Sequence, residues 1–466
     1  MSDASKPAGV HHSRKRPGVE PRRDAGDRTP GLAARKTAAK LLAVVIDAHT
    51  ALDGLTDNDN GHPQYRALDM RDRSLVRAIL TTALRFRVTI ANLLAHHLDR
   101  PIPGNATALS HILHVASAQI LFLDIPDSAA VDLAVTHAKS DPRTERFSGL
   151  VNGVLRSLAR GKQTELPEAL KATLDAPAWF VDRLRAAYGV DTSLRILAAH
   201  RIEAPIDFTV KSAPELWAAR FGGFVLPTGS VRVERLQAPV PELPGFADGE
   251  WWVQDTAASL PARLFGNVEG LRVADLCAAP GGKTAQLILA GAEVTAIDAS
   301  RNRLARLSQN LARLKLSATL LQADITSFRP DKLFDAVLLD APCSSTGTVR
   351  RHPDVPWIKS PAEIEKLAGV QAKLLAAAAG LVKPGGRIVF SNCSLDPLEG
   401  ETLHAAFLAT ARGIADDPIQ SGEVPSVDPY LTDKGTLRTT PADLDLGAAG
   451  ASGLDGFFAA RLRRVD

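Results

Sequence analysis

The chain holds three cysteines, and each falls directly after a short apolar run of strand character: Cys277, Cys343 and Cys393. A cysteine that only packs needs no particular place. Three of three at the ends of such runs therefore point to thiol chemistry, although Cys277 suits packing equally well. No pair has the two-to-four-residue spacing of a structural zinc site and no fourth ligand is evident, so no metal is expected. Redox pairing of Cys343 with Cys393 stays open. An odd, small number of cysteines excludes a disulfide scaffold and suits a reducing, cytoplasmic setting.

The first of these runs leads into Cys277, Ala278, Ala279, Pro280, Gly281, Gly282, Lys283 and Thr284. Its end imitates a nucleotide phosphate loop, but that loop needs a glycine where Cys277 stands. The spaced-glycine dinucleotide pattern fails as well. A Gly-Gly turn opening a helix still lets a ligand approach the backbone closely. A ligand with a carboxylate and no phosphates fits it. Three acids hold equivalent places: Asp298 ends the second run, Asp324 follows the third and Asp340 ends the fourth. Asp298 is placed to accept from ribose hydroxyls and Asp324 from an adenine amino group. Each alone is weak, because acids are common at strand ends and helix caps. Together with the turn they describe an adenosine-type site, and S-adenosylmethionine fits it better than a nicotinamide dinucleotide.

The elements that must carry these residues are apolar runs alternating with helical stretches. The runs are residues 271–276, 293–297, 318–321, 334–339 and 387–390. They are short and rich in Val, Ile and Leu, as strands buried on both faces should be. The alternation predicts an α/β fold with an open parallel sheet over residues 250–466, with ligands bound beyond its carboxyl edge. Residues 166–249 are proline-rich and mixed, which predicts a small α+β connecting module. Over residues 33–165 apolar residues recur at helical spacing, as in Leu109, Ile112, Leu113, Ala116 and Ile120, and predict an all-α bundle. Residues 1–32 form a basic tail expected to be disordered. Residues 1–36 carry nine Lys/Arg against four acids, net +5, whereas the whole chain carries only +3. A tail of that charge is either solvated or a nucleic-acid-binding arm. No run of 18 apolar residues predicts a membrane span, and no apolar stretch follows the first charges as in a secretory signal.

With these residues in view, the chain resembles the Sun/Nop family of RNA 5-methylcytosine methyltransferases. The resemblance rests on Cys277 to Lys283, on Asp340-Ala341-Pro342-Cys343-Ser344 and on the cysteine of Ser391-Asn392-Cys393-Ser394. It continues through Gly347, Arg350 to Asp354 and Trp357, and includes Gln254-Asp255 and Gly456-Phe457-Phe458. The helical stretch resembles a NusB-like RNA-binding domain through Arg71-Asp72-Arg73 and through Gly149, Asn152 and Gly153. That pairing points to the branch acting on small-subunit (16S) ribosomal RNA. Two departures stand out: Asn392 where the family usually has Thr, and a linker segment, residues 207–211, without the Arg and Asn expected there.

The resemblance implies a class I, Rossmann-like methyltransferase sheet, S-adenosylmethionine as cofactor and RNA as partner; nothing in the sequence demands an oligomer, so a monomer is expected. It implies that Cys393 is the nucleophile and Cys343 the thiol that assists release. A thiolate adding to carbon 6 of cytosine makes carbon 5 enamine-like and able to accept a methyl group. Loss of the carbon 5 proton then expels the thiol. Such a thiol needs activation, since a free cysteine is only a few per cent ionised at pH 7. Asp340 is expected to face both the cofactor's amine and the base, and Lys283 the target base. Arg303 matches a position near the cofactor, and a solvated helix face shared with Arg301 and Arg306 suits it equally. Arg350, Arg351 and His352 are expected to form a phosphate-contacting loop. Alternatives are the same chemistry on transfer RNA or large-subunit RNA, a nonenzymatic RNA-binding assembly factor, and, least favoured, a nicotinamide-dependent oxidoreductase.

Overall fold

The computed structural model describes residue 1, residues 29–448 and residues 450–466. The basic tail therefore lies mostly outside the described residues. Helix Thr107–Phe122 is the hub of the helical bundle, because nearly every residue from Leu109 to Leu121 is buried. A helix apolar all round must be surrounded, and Leu32–Asp47, Met70–Arg85, Asp127–Lys139 and Ser148–Ala172 surround it. Asp69 caps Met70–Arg85 by accepting from the Asp72 amide at 2.7 Å.

The boundary expected at 165/166 needs correction. Helix Ser148–Ala172 runs through it and through Pro167, and Leu166 and Ala169 pack against the bundle core. Proline inside a helix removes one backbone hydrogen bond, and the apolar side chains that follow it hold the last turns in place. The next helix spans Ala178–His200 with a kink at Gly189, where φ is 75°.

The connecting module is a four-stranded antiparallel sheet of β1 (Ile206–Val210), β2 (Phe224–Val225), β3 (Val231–Val233) and β4 (Trp251–Val253), in the order β2-β3-β1-β4. The boundary at 249/250 therefore shifts too, since β4 pairs with β1 and the Trp251 ring packs on Phe208 and Phe221. Asp207, on the segment that departs from the family pattern, forms a two-pronged pair with Arg232, both side chains being fully buried. Arg232 also donates to the Ala451 and Gly453 carbonyls at 2.9 and 2.8 Å, which clips the module to the C-terminal segment.

The large sheet holds β5 (Arg272–Leu276), β6 (Glu293–Asp298), β7 (Thr319–Gln322), β8 (Phe334–Asp340), β9 (Val382–Asn392), β10 (Ile414–Asp416), β11 (Leu437–Thr439) and β12 (Phe457–Arg464). Its order is β10-β12-β9-β8-β5-β6-β7, with β11 on β12. Strands β7, β6, β5, β8 and β9 are parallel, and β12 is antiparallel to β9. Along β8, Ala336 and Leu338 face one buried layer while Val337 and Leu339 face the other, the period of two that a doubly covered strand requires. Chain order reverses at β5, between β6 and β8, so a crevice opens at its carboxyl end. The structure thus has the expected class: an all-helical N-terminal region and an α/β methyltransferase-type sheet.

The bundle meets the sheet through the segment after Cys343. Trp357 and Ile358 pack into the bundle core. The Trp357 indole donates to the Leu84 carbonyl at 3.1 Å, Arg85 donates to the Arg350 carbonyl at 2.8 Å, and the Leu52 amide donates to Asp354 at 2.9 Å. Among the described residues no single helix is long and apolar enough to cross a membrane.

Two core histidines set an acid limit on this architecture. Burial lowers both His114 and His200 to about 3 from 6.5. Protons therefore bind the unfolded chain more tightly, and stability falls as pH drops below 6.5. At pH 5 the loss is roughly 2 kcal/mol per histidine. Urea melts at pH 7 and pH 5 measure it, and H114Q should reduce the difference by about 2 kcal/mol.

Candidate active site

The glycine turn begins where β5 ends. Cys277 takes a left-handed conformation, φ 59°, and Gly281 follows at φ 103° before helix Gly282–Leu289 opens. Non-glycine residues held there mark strained, over-determined segments. Arg303 donates to the Ala279 carbonyl at 2.9 Å and lies 3.4 Å from Asp298, bracing the turn against β6.

Asp298 is buried. One of its oxygens accepts from the Ser300 amide at 2.9 Å, and the other, Oδ2, faces the Arg303 guanidinium at 3.4 Å without a hydrogen bond of good geometry. A ribose hydroxyl would supply that bond. The turn, its helix N-terminus and this carboxylate fit an adenosyl ligand with an amino-acid tail. Asp324 is exposed, and its Oδ1 accepts from both the amide and the hydroxyl of Thr326, at 2.9 and 2.7 Å.

A cavity of about 370 Å³ runs under the turn, with Ala278 to Lys283, Trp252, Gln254, Asp275 and Asp340 in its walls. Asp298, Arg303 and Asp324 lie outside it. Lys283, the residue expected near the target base, is buried rather than solvated. Its ammonium donates to Asp340 Oδ2 at 2.7 Å and sits 4.8 Å over the Phe457 ring. Ser391 donates to the other Asp340 oxygen at 3.0 Å, as the β8–β9 register dictates. The chain also contributes Asp275, which accepts from Thr284 at 2.6 Å and has one orphaned oxygen. Burial raises its carboxyl to about 7. Sequence reasoning missed it; an acid inside an apolar strand run is the signal that could have found it.

Cys343 and Cys393 meet, with their sulfurs 3.4 Å apart, and all three thiols are free. The two thiols differ. The hydrogen bond between them and burial push Cys343 well above its ordinary value. The same bond pulls Cys393 down, helped by Ser345 and by the Lys283 charge, against burial and Asp340. With Cys343 as the donor, this contact favours ionisation of Cys393. Ser345, held at φ 59°, also lies against the Cys393 sulfur, at 3.6 Å. Cys277 behaves differently: burial, then Asp340 and Asp298, raise it to about 12, so it stays a neutral thiol.

The close approach depends on Gly347. Its amide donates to the Cys393 carbonyl at 2.9 Å, and its own carbonyl accepts from Gly456 at 2.8 Å. A Cβ on Gly347 would sit 2.0 Å from the Gly456 oxygen and 2.8 Å from that of Cys393. That packing explains why Gly347 and the Gly456-Phe457 pair belong to one motif set.

The phosphate-contacting role of Arg350 and Arg351 is not what the structure holds. Arg350 is 2% exposed and donates to the Ser452 carbonyl. Arg351 bridges Asp255 and Asp455 and donates to the Pro205 carbonyl at 3.0 Å. These cations tie the module, the sheet and the C-terminal segment together. His352 pairs with Asp53 of the bundle at 3.2 Å. Among the described residues no cluster of three or more His, Cys, Asp or Glu side chains is placed to hold a metal ion.

Comparison with known proteins agrees with this geometry. The family described as 16S rRNA methyltransferase RsmB/F matches residues 264–463, and the NusB family matches residues 32–160. Ribosomal RNA small subunit methyltransferase B of Salmonella arizonae is 33% identical over 447 residues, covering 92% of this chain and 98% of that one. Its counterpart from Salmonella typhi is 34% identical over 393 residues, covering 80% and 89%. Among solved structures, that of PH0851 matches 93% of this chain and 99% of its own with a TM-score of 0.69 at 22% identity, a likeness of fold.

Proposed function

Because the chain belongs to the 16S rRNA methyltransferase RsmB/F family and carries a NusB-family domain, we propose that it methylates carbon 5 of one cytidine in small-subunit (16S) ribosomal RNA, with Cys393 holding the base covalently. Membership makes it an S-adenosylmethionine-dependent RNA cytosine-5 methyltransferase. The target RNA and the role of each residue are the inference.

The observation that carries the residue roles is the unequal thiol pair, Cys343 raised and Cys393 lowered at 3.4 Å, beside the Lys283–Asp340 pair. The low thiol is the nucleophile that adds to carbon 6. Once Cys393 is bonded to carbon 6, the contact that held Cys343 high is gone; Cys343 loses its proton to solvent and, as the thiolate, takes the carbon 5 proton and becomes a neutral thiol. The Cys393–carbon 6 bond breaks as that proton leaves. Lys283 and Asp340 face the base and balance the charge that builds on its ring. Asp298 holds the cofactor's ribose and Cys277 to Lys283 its amino-acid end. Asp324, facing solvent, takes the adenine edge, and Arg303 keeps the turn in shape. Bound there, S-adenosylmethionine supplies an electrophilic methyl group. The target base must leave its stack to reach Cys393, which favours an unpaired cytidine.

The NusB-family domain favours ribosomal RNA over transfer RNA. An enzyme family and a poised thiol pair set aside the nonenzymatic and nicotinamide readings. The test offers the protein unmodified small-subunit RNA, large-subunit RNA and transfer RNA with labelled S-adenosylmethionine. Digestion and mass spectrometry should place 5-methylcytidine at one position of the small-subunit RNA. Label on transfer RNA or large-subunit RNA instead would move the target and leave the chemistry.

A further inference from the structure

Beneath the thiol pair lies a carboxylate that none of the motifs above includes. Glu399 is 0% exposed, and among the described residues its side-chain donors are all neutral. Oε1 accepts from the Ser344 amide at 2.9 Å and from Gln371 at 2.8 Å. Oε2 accepts from the hydroxyls of Ser344 and Ser394, the latter at 2.6 Å. Ser344 follows Cys343, and Ser394 follows Cys393. One carboxylate therefore holds the neighbour of each thiol.

The surrounding bonds close the arrangement. Thr346 Oγ1 lies 3.0 Å from Ser394 Oγ and accepts from the Leu395 amide at 2.9 Å. Asn392, where the family usually has threonine, donates to the Glu399 backbone carbonyl at 2.6 Å and accepts from the Ser394 amide at 3.0 Å. Asn392 is thus part of the same knot. Burial raises the Glu399 carboxyl while its serine donors lower it. Four donors fill the acceptor sites of an ionised carboxylate, and a buried network satisfied in this way is rigid.

We propose that Glu399 is a positioning residue for both halves of the reaction, holding Cys393 for addition through Ser394 and Cys343 for release through Ser344. The proposal rests on the thiol roles given above. It adds a residue that touches neither RNA nor cofactor and sets the distance between the two sulfurs.

The test separates the two arms. Single-turnover assays with RNA and S-adenosylmethionine follow formation of the covalent protein–RNA adduct and its release as methylated RNA. S394A should slow addition roughly fivefold and leave release unchanged. S344A should slow release by a similar factor and leave addition unchanged. E399A removes both arms and should slow each step about a hundredfold, the scale of an ångström's misplacement, with KM for S-adenosylmethionine unchanged. E399Q should recover most of both steps. Its carbonyl oxygen keeps the Ser344 amide and Gln371, and its amide donates to serine hydroxyls that rotate to accept.

If E399A fails to fold, the two serine variants and E399Q decide. Serine variants that slow both steps equally, or neither, overturn the proposal, as does a folded E399A with both steps at the wild-type rate. Cys343→Ala runs in parallel. An adduct trapped there keeps the thiol roles standing whatever the Glu399 series does. No adduct there removes those roles, and the Glu399 proposal with them.

Discussion

Cys393→Ala abolishes methyl transfer to RNA, a loss on the order of 10⁴- to 10⁶-fold, the scale seen when a covalent nucleophile is deleted. Cys343→Ala fails differently: it adds to the base and then stalls, so a protein–RNA adduct accumulates. The asymmetry follows from the two thiols sharing one hydrogen bond at 3.4 Å, with the low value on Cys393 and the high one on Cys343. The pH dependence carries the same signature. Addition needs the Cys393 thiolate, so its rate rises with pH through a midpoint below the ordinary thiol value. Removing the Cys343 donor takes away the first cause of that lowering, and the midpoint in Cys343→Ala moves to higher pH. Adduct formation measured from pH 6 to 10 in both proteins checks the direction. A midpoint that stays put would assign the activation to Ser345 and Lys283 instead.

Arg351→Ala costs about 3–5 kcal/mol of stability, because it leaves two buried carboxylates, Asp255 and Asp455, without their cation. Arg351→Lys recovers only part of this, since an ammonium lacks the planar fork that reaches both. RNA binding answers in the opposite way. A cation on a phosphate would take about one unit from the slope of log affinity against log salt when deleted. The Arg351→Ala protein, measured under conditions where it stays folded, keeps the wild-type slope, since Arg351 faces carboxylates and a backbone carbonyl. Chemical denaturation and salt-dependent binding on the same preparation separate the two roles. A lowered slope with unchanged stability would return Arg351 to the RNA surface.

The two roles of such residues mark what a sequence can and cannot disclose. The placement of the turn, Asp340, Cys343 and Cys393 along one sheet edge was readable because it is local: each lies at or just past a strand end, within a few residues of its motif partners. The sheet class was readable from the same alternation. Arg350 and Arg351 look like an exposed basic pair because burial has no local signature. The acids that neutralise Arg351 lie 96 and 104 residues away. Glu399, Ser345 and Ser391 escaped for a related reason, since they acquire meaning only when β8 and β9 bring their two loops together. The two misplaced boundaries share one cause. Composition shifted at 166 and 250, while the cores that decide the matter extended past both points, through Leu166 and Ala169 in one case and Trp251 in the other.

The central claim is that Cys393, and no other thiol, carries the RNA. The most direct measurement digests the adduct trapped in Cys343→Ala and sequences the nucleotide-bearing peptide by mass spectrometry. The account predicts a cytidine-derived mass on Cys393, with Cys277 unmodified. A nucleotide on Cys277, or methylated RNA released by Cys393→Ala, would contradict it.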